Sequence, residues 1–158
     1  MSENLQLDKL DVKILDILMH NATIPYTEIA KMLNVSSGTI HVRMKKLENM
    51  EIIRSSNLQI NPTKVGYDVT AFLGVYLEKS SMYDDVVKEL QTISEVTECY
   101  YLTGDYNMFV KLLCRDTNHL KDVLHDKIQK INGIDRTETF IALEQTFIRP
   151  MKIVLNHK

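Results

Sequence analysis

The spacing of the apolar residues changes once along this chain, and that change limits the folds open to it. Up to residue 47 the apolar side chains recur every three or four positions: Leu10, Ile14, Ile17 and Leu18, then Ile29, Ala30 and Leu33, then Ile40, Met44 and Leu47. Such spacing lays one apolar stripe along one side of each of three helices. From residue 69 the rule becomes alternation. Val69, Ala71, Leu73, Val75 and Leu77 are separated by Thr70, Phe72, Gly74 and Tyr76, as in a strand apolar on one side and semi-apolar on the other. With 158 residues, 44% of them apolar, the chain can bury one ordinary core or two small ones.

The helix ends are written in residue types. Asp8 is a candidate N-cap with Asp11 in the first turn, Asn21 ends the first helix, and Pro25 suits the first turn of the second. Asn34-Val35 makes a tight connection to a third helix that opens at Ser36. Ile52-Ile53 and Leu58 to Ile60 then alternate like a short β-ribbon, and Asn61-Pro62 interrupts regular structure. A linker is expected around residues 55–66, dividing the chain into domains 1–60 and 61–158.

In the second domain the first strand is followed by a short helix with Val86, Val87 and Leu90 inward, and then by strands over 96–103 and 106–115. Gly104-Asp105 separates these two strands and can form a tight hairpin. A helix carrying Leu120, Val123, Leu124, Ile128 and Ile131 stops near Asn132-Gly133, and residues 137–143 form a last strand. The order β-α-β-β-α-β is that of a ferredoxin-like split unit. A four-stranded sheet with helices on one side leaves its other face uncovered, and Phe72, Tyr76, Tyr101, Phe109 and Leu113 are candidates for that face, where a second copy would bury them.

Several chemistries find no support in the sequence. Cys99 and Cys114 are too few for a disulfide framework, lack C-x-x-C spacing and read as small core residues. The eight methionines scatter through core-like positions. The five histidines show neither i, i+4 nor H-E-x-x-H spacing, so no metal site and no cofactor is expected, and no G-x-S-x-G, P-loop or paired acid and base points to an enzyme. The start MSENLQLDKLD is acidic, not that of a signal peptide, and no run approaches the length of a membrane span. A cytoplasmic protein without a membrane partner is the expectation.

Three short helices with a tight turn between the last two match a helix-turn-helix, whose final helix enters the major groove of DNA. Opposite Ile40, Met44 and Leu47 lie Gly38, Val42 and Lys45, flanked by Thr39, His41 and Lys46. Thr39 and Val42 offer methyls for thymine, and His41 offers a ring donor or acceptor. Arg43, Lys45, Lys46 and Arg54 can neutralise phosphates, and Ser36 and Ser37 add hydroxyls and N–H groups at a helix N-terminus. The competing reading is a solvated face on an ordinary three-helix bundle. Net charge is −2 for the chain and only +2 from Ser36 to Arg54 (Arg43, Lys45, Lys46 and Arg54 against Glu48 and Glu51), so one copy would bind a duplex weakly and two half-sites would be needed.

The runs Leu10-Asp11, Ile14-Leu15, Glu28-Ile29-Ala30-Lys31, Val35-Ser36, Gly38-Thr39-Ile40-His41-Val42-Arg43, Lys46-Leu47-Glu48 and Ile52-Ile53 resemble the DNA-binding half of the Lrp/AsnC family, the feast/famine regulators. Gly66-Tyr67-Asp68-Val69, Val96-Thr97-Glu98, Tyr100-Tyr101, Thr103-Gly104-Asp105-Tyr106 and Thr137-Glu138-Thr139 resemble its effector domain. The resemblance covers essentially the whole chain and is closest to the asparagine-responsive branch. It implies a winged helix-turn-helix followed by a ferredoxin-like effector and dimerisation domain. It also implies sequence-specific binding of double-stranded DNA, a homodimer assembling further to an octamer, and a free amino acid, asparagine first, that changes assembly or DNA affinity.

By position, the resemblance assigns the effector pocket to Thr103, Gly104, Asp105, Tyr106 and Asn107, with Tyr101, Gln129 and Thr139 nearby. Asp105 suits an ammonium, the Gly104 backbone a carboxylate, and Asn107, Gln129 or Thr139 a polar side chain. Three departures stand out. Glu51 takes the place of a usual Gly after the third helix, Thr23 replaces a frequent Arg, and Asp105 and Asn107 lie where family branches differ. Two alternatives remain: an RNA-binding module displaying Tyr76, Tyr101, Tyr106 and Phe109 on its sheet, and a regulator without a small-molecule effector. Against the first, Tyr106-Asn107-Met108-Phe109 lacks the basic-Gly-aromatic-Gly opening of an RNP motif.

Overall fold

The computed structural model describes residues 7–155; the acidic start over residues 1–6 and His157 lie outside them. Two compact units result, one of residues up to Gln59 together with the segment from Phe147, the other Ile60–Thr146.

The first unit is built on α1 (Lys9–His20), α2 (Tyr26–Leu33) and α3 (Ser37–Asn49). Asp8 caps α1 by accepting from the N–H groups of Leu10 and Asp11, while Asp11 accepts from Asp8 N–H, a reciprocal capping box. Between α1 and α2, Thr23 closes the turn on the Asn21 side chain through both its N–H and its hydroxyl. Asn34 takes the left-handed conformation (φ 54°) that ends α2, and Ser36 caps α3 by accepting from Thr39 N–H. Ile14, Ile29, Ala30, Ile40 and Met44 form the core that joins the helices.

The end of α3 shows how the chain turns without glycine. Glu51 N–H donates to Glu48 C=O at 2.9 Å and Ile52 N–H to Leu47 C=O at 3.0 Å, the bond pair of a Schellman turn. Glu51 itself adopts the left-handed conformation that this turn needs, at φ 54°. The β-ribbon expected from Ile52 to Ile60 does not form: this stretch has no ladder partner among the described residues. Alternation makes a strand only where another strand accepts its hydrogen bonds.

In the second unit, β1 (Val69–Leu77), α4 (Tyr83–Thr92), β2 (Val96–Tyr101), β3 (Met108–Cys114), α5 (Thr117–Asp122) and β4 (Ile134–Ile141) realise the expected β-α-β-β-α-β order. The sheet is antiparallel, in the order β2-β3-β1-β4. Ala71, Leu73, Val75, Met108, Val110 and Leu112 are buried beneath Val86, Leu90, Leu120, Val123 and Ile128 of the helical layer. Each of the two central strands therefore puts every second residue against the helices. The helix expected through Ile131 is not uniform: α5 widens into a π turn over Val123–Lys127 and tightens into a 3-10 turn over Ile128–Lys130.

Three further expectations are corrected. Cys99 is exposed on edge strand β2, and only Cys114 is in the core. Met44 and Met108 are buried, but Met32 and Met151 are exposed. Tyr101 does not share the uncovered face of the sheet. It pairs with buried Met108 and lies on the helix side, its ring 4.4 Å from that of Tyr83. A register shift between Val96 and Glu98 changes the alternation along β2, so Tyr100, opposite Phe109, takes the outer position.

Candidate functional site

In the first unit α3 displays the residues expected to meet DNA, and it does so unequally. Val42 is 70% exposed, and Gly38, His41 and Lys45 are open to solvent on the same side. The His41 ring meets the edge of Tyr26 at 4.9 Å, so α2 restrains the side chain that offers a ring nitrogen. Thr39 and half-buried Ser37 sit in the first turn, and the Ser36 and Thr39 hydroxyls are hydrogen-bonded to each other at 2.9 Å. Lys45 and Arg54 are exposed, with no salt-bridge partner among the described residues.

Arg43 and Lys46 are placed differently. Arg43 pairs with the Asp8 carboxylate and, at 3.2 Å, with Asp11; Lys46 Nζ lies 2.8 Å from the other Asp11 oxygen. The Asp11 side chain is fully buried, so it needs these cations to offset its lost hydration. The backbone N–H of Asp11 and the Arg43 guanidinium hold the Asp8 carboxyl below its ordinary pKa despite partial desolvation. Helical geometry alone could not show these pairs, because they join residues 32 to 35 positions apart.

In the second unit the hairpin Thr103–Asn107 is fastened at both ends. Leu102 N–H donates to Asn107 C=O, Asn107 N–H to Val75 C=O, and Leu77 N–H to Asn107 Oδ1 at 2.9 Å. The Asn107 side-chain oxygen is thereby used in holding the hairpin on β1. Gly104 has φ 133°, and a Cβ placed on it would meet nothing within 4 Å, so backbone conformation and not crowding calls for glycine there. Thr103, Gly104 and Asp105 are exposed.

Tyr106 turns onto the uncovered sheet face, where its ring covers Gly74 so closely that a Cβ there would overlap it. Its hydroxyl donates to Glu138 Oε2 at 2.8 Å, while Tyr76 donates to Oε1 at 3.1 Å and the Arg136 guanidinium lies 3.6 Å from the Tyr76 ring centroid. The bond to Glu138, with desolvation, pushes the Tyr106 hydroxyl up to about 12, while the bonds from Tyr106 and Tyr76 hold Glu138 below its ordinary range against desolvation. Phe72, Phe109 and Phe140 continue this aromatic face, with Phe72 stacked on Phe109 at 5.7 Å.

The other expected effector residues are not gathered there. Tyr101 is on the helix side, Gln129 is exposed in the 3-10 turn after α5, and Thr139 pairs with Leu73, on the sheet face opposite Tyr106. A cavity of about 910 Å³ lies instead in the first unit, lined by Leu15, Leu18, Tyr26, Ile53 and Met151 among others. Neither Glu138 nor the buried Glu95 stands out as a site residue from sequence. Glu95 accepts from Lys127 Nζ at 2.7 and 2.8 Å and lies 3.0 Å from His119 Nε2. His119 Nδ1 accepts from Arg115 N–H, which leaves Nε2 to carry the proton toward Glu95. No local motif signals either carboxylate, since their partners come from other elements.

Comparison with known proteins agrees with this arrangement. Residues 7–54 match the winged helix-turn-helix DNA-binding family, and residues 70–151 match the Lrp/AsnC ligand binding domain. Regulatory protein AsnC of Escherichia coli K12 is 43% identical over 150 residues, covering 95% of this chain and 99% of its own. The HTH-type transcriptional regulator FL11 of Pyrococcus furiosus is 34% identical, covering 87% and 90%. The solved structure of E. coli AsnC superposes with a TM-score of 0.87 at 41% identity, over 93% of this chain and 99% of that one. The fold is shared by a Neisseria meningitidis transcriptional regulator solved as an L-Met complex (TM-score 0.88, 24% identity, 96% and 98% covered). Among the described residues no helix is long and apolar enough to cross a membrane. The chain belongs to the Lrp/AsnC family of transcription regulators, with a winged helix-turn-helix DNA-binding domain and a ligand-binding domain, and it is not an enzyme.

Proposed function

We propose that this regulator reads duplex DNA with the Gly38, Thr39, His41, Val42 and Lys45 face of α3, and that a free amino acid at Thr103–Asn107 alters its assembly or its DNA affinity. The observation that carries the first part is the exposure of Val42. An apolar side chain 70% open to solvent, between His41 and Lys45 on a helix whose other side is core, suits contact with a thymine methyl. Lys45, Arg54 and the Ser36 and Ser37 turn supply phosphate contacts, and Arg43 and Lys46 add to them as far as their aspartates permit.

The effector reading rests on the fastened hairpin. Anchors at Leu102 and at Tyr106-Asn107 hold Gly104 and Asp105 out to solvent on a defined base. Asp105 supplies the counter-charge for an ammonium and Gly104 a closely approachable backbone. The loop is open in one chain, as a site completed by a neighbouring dimer would be. Asparagine is the first candidate, by likeness to AsnC. The uncovered face, with Phe140 45% exposed beside Phe72, Phe109 and Tyr106, suits burial against a second copy, and further assembly to an octamer completes the reading. A DNA target suits a cytoplasmic location. The RNA alternative is disfavoured by Glu138, whose charge amid the outer aromatics would repel phosphates.

Isothermal calorimetry of the wild type and Asp105→Ala with asparagine, glutamine, leucine and methionine tests the sensor. Heat with asparagine in the wild type alone is expected. No heat with any of the four removes the effector, and equal heats in both proteins move the pocket elsewhere.

A further inference from the structure

We propose that Asp8 and Asp11 set how much of the charge on α3 reaches DNA: Asp11 positions Arg43 and Lys46, and Asp8 is an exchangeable counter-ion that a backbone phosphate displaces from Arg43. The proposal rests on the assignment of α3 to the groove, and it adds two residues at the start of α1 to the interface.

The two carboxylates differ in a way that gives them different roles. Asp11 has a fully buried side chain with one oxygen toward Arg43 and the other toward Lys46. It also closes the capping box by accepting from Asp8 N–H. Releasing either cation would leave a buried charge short of a partner, which is strongly unfavourable, so Asp11 stays and fixes the direction of both side chains. The Asp8 side chain is 48% exposed and pairs with an Arg43 side chain that is itself 29% exposed. A pair this open to water contributes little to stability, and a phosphate can replace its acid at small cost. The guanidinium can also keep its bond to Asp11 while a second pair of N–H groups turns to an incoming oxyanion.

The charge count gives the exchange its weight. Of the four cations from Ser36 to Arg54, two are engaged by Asp8 and Asp11, leaving Lys45 and Arg54 against Glu48 and Glu51. With Asp8 in place that stretch attracts a polyanion weakly; with Asp8 displaced it gains one cation where phosphates pass.

Asp8→Asn isolates the charge, because the amide oxygen still accepts from Leu10 and Asp11 N–H and α1 remains capped. The full-length wild type, Asp8→Asn, Arg43→Ala and the double variant are titrated by fluorescence anisotropy against a mixed-sequence 40-base-pair duplex at 50 to 200 mM KCl. Asp8→Asn is expected to bind about two- to fivefold tighter per half-site across that range, because no acid has to be displaced, with a salt slope close to the wild type's, since Arg43 meets the same phosphate in both proteins. Arg43→Ala is expected to bind more weakly with a shallower slope, and the double variant to match Arg43→Ala. A wild-type affinity for Asp8→Asn overturns the proposal, as does a double variant that keeps the Asp8→Asn gain. Lys45→Ala in the same assay reports on the groove assignment separately. Unchanged affinity there removes that face, whereas a weakened Lys45→Ala beside a flat Asp8/Arg43 cycle removes the exchange alone.

Discussion

Glu51→Gly should stabilise the first unit, although it deletes a side chain and creates none. At φ 54° an L-residue carries a left-handed conformation that costs about 1 to 2 kcal/mol. Glycine removes that strain but gives the unfolded chain about 0.5 to 1 kcal/mol of extra conformational entropy. Taking an acid from the C-terminal end of α3, where the carbonyl dipoles are unpaired, adds a few tenths. The net is about 1 kcal/mol in favour of the variant, which for a unit of this size raises the melting temperature by roughly 4 to 8 °C. Differential scanning calorimetry measures the shift, and slower hydrogen exchange at the Glu51 and Ile52 amides, the donors of the turn, locates it. Glu51→Asn should gain less, because Asn tolerates the conformation only partly, and Glu51→Ala should gain nearly nothing. If Ala stabilises as much as Gly, the charge and not the backbone is responsible, and the reasoning fails.

Three other outcomes follow from the sites. Burial raises the Glu95 carboxyl, but Lys127, its own backbone N–H and His119 outweigh it and bring it to about 2. Its folded value lies below its ordinary 4.5, so its contribution is present above that pH and is lost as pH falls toward 2; urea unfolding followed by tyrosine fluorescence should find the second unit roughly 3 kcal/mol weaker at the acid end, with Lys127→Met moving the loss to higher pH. Val42→Ser should change preference at individual base pairs by about 1 to 3 kcal/mol with an unaltered salt slope, read by competition among duplex variants; loss spread evenly over all sequences would show that Val42 does not touch bases. Phe109→Asp, which puts a charge in the middle of the outer aromatic face, should split the dimer by light scattering at micromolar concentration, and an unchanged mass would move the interface elsewhere.

Much of the fold is legible because helical stripes and strand alternation are local. Ile14, Ile29, Ile40, Met44 and Leu47 follow from spacing and are buried, and Asp8, Asn34 and Ser36 punctuate the helices as their side-chain chemistry demands. The departure at Glu51 is visible as a wrong residue type for its turn, and the turn forms regardless because two backbone bonds hold it. What stays hidden depends on partners distant in sequence. A helical projection makes Arg43 and Lys46 look as available as Lys45, since nothing local shows that Asp8 and Asp11 reach them. One irregularity in β2 is enough to exchange the faces of Tyr100 and Tyr101. That the Asn107 side-chain oxygen braces Leu77 is not legible from its position in the loop, and the π turn of α5 comes where Lys127 reaches Glu95.

An amino acid bound in the second unit is expected to change what the first unit does to DNA, and one titration addresses that coupling. A duplex selected from fragmented genomic DNA by binding to this protein is labelled, and its Kd is measured by anisotropy with and without saturating asparagine, for the wild type and Asp105→Ala. Typical coupling free energies of about 1 to 3 kcal/mol correspond to shifts of roughly 5- to 150-fold. A shift in that range is expected for the wild type and none for Asp105→Ala, with equal affinities of the two proteins when asparagine is absent. A wild-type Kd that stays the same across asparagine concentrations removes the coupling, and a shift that survives in Asp105→Ala moves the effector away from Asp105.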